Sequence, residues 1–147
     1  MKKLIVYALV LAAVVSAYWP LAAAQEGGFR VIVNRDNPAD SITKSELSNY
    51  LLKKRSRWDN GVAADPVDLD SGSDVRDAFS RDVHGRSVSS IKKYWQQQIF
   101  SGREVPPPEL ANDAAVVAFV SSRPGAIGYV SPRARLDGVK EVAVSDG

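Results

Sequence analysis

Between Phe29 and Asn34 the chain reads FRVIVN, a short β-rich run that is apolar almost without interruption. A strand with one wet face alternates apolar and polar residues, whereas a strand covered on both faces does not. This run therefore demands packing on both sides, and helices are the means at hand. LSNYLL places Leu47, Tyr50 and Leu51 on one helical face, with Thr43 and Glu46 spaced as a capping box.

The rest alternates in the same way. PVDL (Pro66 to Leu69) reads as a second strand. Ser73 caps a helix through Val75 and Phe79 to about Val83, which HGRS breaks. Ser87 opens another, in which Val88, Ile91, Tyr94, Trp95 and Ile99 form one stripe and Gly102 is the stop. VPPPEL is a rigid connector. Asn112 caps a last helix, DAAVVAFVSS, and AIGYVS and KEVAV are the final strands. Strands separated by helices predict crossover connections, hence an α/β domain whose sheet is mostly parallel with flanking helices.

The first 24 residues stand apart. Lys2 and Lys3 precede an uncharged apolar run that closes on Ala22-Ala23-Ala24, the layout of a cleaved secretory signal peptide. The alternative is a retained anchor, since the run is about long enough to span a bilayer; Pro20 and the alanines favour cleavage. Residues 25–147 then form the domain, periplasmic or secreted and without stable membrane insertion. Of 19 basic residues, two leave with the signal, so 17 face 17 acidic ones. A balanced charge gives no footprint for nucleic acid. The absence of cysteine removes disulfides and lipid attachment.

Catalytic and metal chemistry find little support. The single histidine, His84, reads as a solvated loop residue about one helix beyond Ser73, and no G-x-S-x-G elbow surrounds that serine. DLDSGSD lacks the closing glutamate of a calcium loop. No catalytic residue, metal ligand or cofactor is assigned, and the chain is not expected to be an enzyme. The cations of KKRSRW suit the partial negative charge at a helix end, and Trp58 should pack over the sheet edge.

One stretch invites a ligand. In DSGSDVRDAF, Ser71, Gly72 and Ser73 precede a helix and Arg76 lies one turn inside. Amides at a helix head lack internal partners, small residues let an oxyanion approach, and arginine adds a charge-assisted bond. Asp70, Asp74 and Asp77 oppose this, and a simple Ser73 cap explains the same residues. Both readings stay open.

Taken together, LSNYLLKKRSRWDNG, PVDLDSGSDVRDAF, YWQQQIFSGR and SSRPGAIGYV resemble, in order, segments of phosphate-type substrate-binding proteins of ABC transporters, in particular a short single-domain branch. The resemblance covers roughly residues 29–144. It implies a single lobe of the type II periplasmic binding protein-like fold, a non-catalytic role in transport, and a phosphate-like oxyanion held at Ser71, Gly72, Ser73 and Arg76. The family's loop carries arginine and then Ser-Gly-Thr; aligned on Phe79, the serine falls on Ser73, the glycine on Asp74, the threonine on Val75 and the arginine on Leu69. Arg76 stands as the replacement charge. One lobe cannot close on itself, so a homodimer or a second protein would complete the site. The alternative is a ligand-free, partner-binding scaffold that keeps only the fold.

Overall fold

The computed structural model describes residues 28–147, so the segment expected to be a signal peptide lies outside the described residues. Five strands form one sheet in the order β2-β7-β1-β6-β3, where β1 is Arg30–Asn34, β2 Ser41–Thr43, β3 Asp65–Pro66, β6 Ala126–Val130 and β7 Val139–Ser145. A separate two-stranded ribbon pairs β4, Asp68–Leu69, with β5, Glu109–Leu110. The helices are α1 (Lys44–Leu51), α2 (Asp74–Phe79), α3 (Val88–Phe100) and α4 (Asp113–Ser122), and a π-helical turn, Ser80–His84, continues α2.

The α/β class holds, but the sheet is mixed rather than mostly parallel. Central β1 runs antiparallel to both neighbours, with Val33 opposite Ile127 and Val31 opposite Val142. Only the edge pairs, β2 with β7 and β3 with β6, are parallel. The crossover rule fixes the direction of strands that follow one another in sequence and also sit side by side. Here β1 finds its partners near the far end of the chain, and helices in between place no constraint on direction.

The continuous apolar runs behave as expected. Val31, Ile32, Val33 and all five residues of β6 are buried. One face of β6 receives α4: a Cβ on Gly128 would lie 2.7 Å from Val67 and 2.9 Å from Val116. The other face receives α2, whose Phe79 stacks flat on Tyr129 with ring centroids 3.8 Å apart and meets Phe29 edge-on. Thr43 and Glu46 form the capping box of α1.

Details differ where the pattern was thin. PVDL divides: Pro66 pairs with β6, and Asp68 and Leu69 leave for the ribbon. The α3 stripe buries Ile91 and Trp95 in a small core with Leu52, whereas Ile99 is 52% exposed. The KKRSRW cations lie beyond α1, and two of the four meet carboxylates: Lys53 pairs with Glu104, and Arg55 pairs with Asp59 and covers the Tyr50 ring. Trp58 stacks on Tyr50 and donates from Nε1 to Gly125 O at 2.9 Å.

Candidate functional site

The Ser71–Ser73 turn heads α2, as its residues predict. Ser73 is the N-cap, its Oγ accepting from Arg76 N at 3.3 Å. Gly72 N donates to Asp70 Oδ1, and a Cβ added at Gly72 would meet nothing within 4 Å. The turn therefore stands at an open surface, with Ser71 and Ser73 half-buried and Gly72 exposed.

Arg76 does not join it there. Its side chain is 4% exposed and turned onto the β4–β5 ribbon, where Nη1 donates to Leu69 O at 2.8 Å and to Glu109 Oε1 at 2.7 Å. Nε stands 3.6 Å from Asp68 Oδ1. The physical reason is geometric: position 76 lies on the inner face of α2, one turn before Phe79, so its side chain leaves the helix toward the core.

Buried Asp68 and Tyr129, with the exposed Glu109, complete a polar node around Arg76 that the motif did not reveal. Tyr129 Oη donates to Asp68 Oδ1 at 2.6 Å and accepts from Leu69 N at 3.3 Å. Burial pushes the Asp68 carboxyl up, and the Arg76 charge and the Tyr129 hydrogen bond hold it back. Burial, then the Asp68 charge, drives the Tyr129 phenol far above its ordinary range, so it remains a donor. Burial acts to lower the Arg76 pKa, but Asp68 and Glu109 outweigh it and keep the guanidinium charged. A carboxylate between Val67 and Leu69, in a strand otherwise apolar, was the available signal, because a buried Asp needs a partner.

His84 is not the solvated residue expected. It sits half-buried at the end of the π turn, edge-on to Phe79, with Nδ1 2.8 Å from Ser48 Oγ. Burial lowers its pKa from 6.5 to about 4, helped by the cations Arg76, Arg86 and Lys54. It faces Ser48 rather than Ser73, and no carboxylate among the described residues bonds to it to orient the ring as a triad would require. Among the described residues no cluster of three or more potential ligands is placed to hold a metal, and no helix is long and apolar enough to cross a membrane.

No protein-family model matches the sequence, and no curated protein matches it significantly. Solved structures do match the fold. One, from Clostridium perfringens, is assigned to the phosphate ABC transporter substrate-binding proteins and holds bound phosphate. It shares 22% identity with a TM-score of 0.65, over 81% of this chain and 45% of that one. An ABC-type phosphate transport receptor from Vibrio cholerae matches at 16% identity and a TM-score of 0.57, over 82% and 47%. PstS from Borrelia burgdorferi matches at 18% and 0.56, over 80% and 47%. The chain thus spans less than half the length of these proteins, and the fold it shares is that of a single lobe.

Proposed function

We propose that this chain is an exported, non-catalytic binding lobe of the phosphate-receptor type, meeting a small oxyanion at the Ser71–Gly72–Ser73 turn while a second lobe supplies the facing wall. The observation behind this reading is the open turn at the head of α2, in a lobe whose fold is shared with a protein solved with phosphate. Helix-head amides carry partial positive charge, and serine hydroxyls add donors. Arg76 enters as a positioning residue. Its bond to Leu69 O fixes the strand end from which the turn departs. Lacking that guanidinium, and with Asp70, Asp74 and Asp77 close in sequence, the turn alone holds an anion weakly.

Thermal unfolding of the protein in millimolar phosphate or sulfate, against chloride at equal ionic strength, tests this. A ligand bound only by the folded state raises stability by RT ln(1 + [L]/Kd). The expected rise in Tm disappears in Ser73→Ala, and a Tm indifferent to every oxyanion overturns the reading.

The second reading, a partner-binding module that keeps only the fold, draws on the burial of Arg76 beneath two carboxylates. Under it, oxyanions leave the melting curve unchanged.

A further inference from the structure

A cavity of about 210 Å³ lies between α3 and the connector that ends in Pro106, Pro107 and Pro108. Asp68, Arg76 and Glu109 line it together with Lys92 and Gln96 of α3. Trp95, Ile99, Pro106 and Pro107 supply an apolar wall. The Ser71–Ser73 turn does not contribute to it.

Two atoms set this cavity apart from the wider hollows beside α4. Arg76 uses Nη1 for both of its hydrogen bonds, and Nη2 has no protein partner among the described residues. Asp68 likewise accepts from Tyr129 through Oδ1, leaving Oδ2 without one. No side-chain nitrogen or oxygen sealed from solvent lacks a partner. Both atoms therefore keep contact with solvent, on residues that line this cavity. A donor and an acceptor so placed, on side chains 4% and 7% exposed, meet a guest that brings complementary groups.

Charge narrows the class. The lining carries two cations, Arg76 and Lys92, and two carboxylates, Asp68 and Glu109. A purely anionic guest is repelled by one pair and a purely cationic guest by the other. An uncharged guest leaves the Arg76 edge without a charged acceptor. A dipolar guest satisfies both pairs, and the apolar wall asks for a hydrocarbon side chain.

We propose that this cavity binds a small zwitterion of the aliphatic α-amino-acid class. The carboxylate meets Arg76 and Lys92, the ammonium meets Asp68 and Glu109, and the side chain lies against Trp95 and Ile99. The volume suits a guest of leucine's size. This site is separate from the oxyanion turn, and either stands without the other.

Calorimetric titration of the protein with L-leucine is the test, alongside two probes of the same skeleton: 4-methylpentanoate, which keeps only the carboxylate, and isopentylamine, which keeps only the amine. Leucine is expected to bind, with each singly charged probe about tenfold weaker or worse, since a charge-assisted bond is lost each time. Arg76→Met removes part of the folded core, so rim variants carry the comparison. Gln96→Trp, on the exposed face of α3, fills the mouth and abolishes leucine binding with the melting curve retained, and Lys92→Met weakens it. Absence of heat with leucine overturns the proposal. So does 4-methylpentanoate binding as tightly as leucine, which makes the cavity an anion pocket, or leucine binding untouched by Gln96→Trp, which places the guest elsewhere.

Discussion

Tyr129 and Asp68 meet at 2.6 Å, hydroxyl to carboxylate, in a layer where the tyrosine is fully buried and the aspartate nearly so. The phenol is the neutral donor that helps a buried carboxyl remain beside Arg76. Removing it leaves Asp68 with fewer donors and Leu69 N without its acceptor. Tyr129→Phe keeps the stack on Phe79 and is expected to cost about 2–3 kcal/mol, the penalty for a buried charged group losing a partner. Urea unfolding measures it, and a loss below the error of the fit contradicts the role given to this bond.

His84 makes the fold sensitive to mild acid. In the folded chain its pKa lies near 4, against 6.5 when exposed, so between those values the unfolded chain binds a proton that the folded one does not. Stability is fully present above pH 6.5 and falls as pH drops toward 4, by up to about 3 kcal/mol. The buried Asp68 carboxyl, shifted upward, pulls the other way as pH falls. The difference between wild type and His84→Gln therefore isolates the histidine. Urea midpoints from pH 7.5 to 4 should fall less steeply in the variant, in the absolute terms of this linkage; parallel curves refute the assignment.

Gly125 and Gly128 are fixed by what stands against them. At Gly128 a methyl group meets Val67 and Val116 closer than 3 Å, so Gly128→Ala should cost about 1–3 kcal/mol through overpacking. At Gly125 the Cβ falls 1.7 Å from Ala63 O, which is backbone and cannot rotate away. Gly125→Ala must displace the chain, break the Trp58 Nε1 bond to Gly125 O and cost more than the first change. Thermal melts of the two variants rank them, and the opposite order contradicts the packing described.

Ser73 caps α2 whether or not a ligand comes. Ser73→Ala should lower stability by about 1 kcal/mol in chloride buffer, the usual loss for a cap. Ser73→Asp, which keeps a side-chain acceptor at the cap, should restore most of it while repelling an anion. Chemical denaturation of both variants separates the cap from any ligand effect.

Sequence showed most of what local chemistry determines. Thr43, Ser73, Ser87 and Asn112 all cap the helices they were expected to begin. Gly85 and Gly102 take the left-handed backbone where helices were expected to stop. The strands β2 and β5 escaped notice because three and two residues carry no period of their own; their partners specify them. Strand direction escaped for a related reason, being set by pairing between distant segments. In the Ser71–Ser73 stretch the turn and the cap were legible, but the direction of Arg76 was not. Its place on the Phe79 face of α2 turns it inward, and its partners there are Asp68 and Glu109, the latter 33 positions away and separated by an entire helix.

The middle position of β1 has a consequence for how the molecule comes into being. Arg30 reaches Glu141 across 111 positions, and both neighbours of β1 belong to the last quarter of the chain. Closing so wide a loop is entropically expensive and slow, so local helices can flicker early while the assembled layer waits. A nascent thread emerging from the ribosome holds its first strand ready with nothing to clasp until the closing residues arrive. A copy that ends before Val139 keeps a bare, sticky border in place of a neighbour.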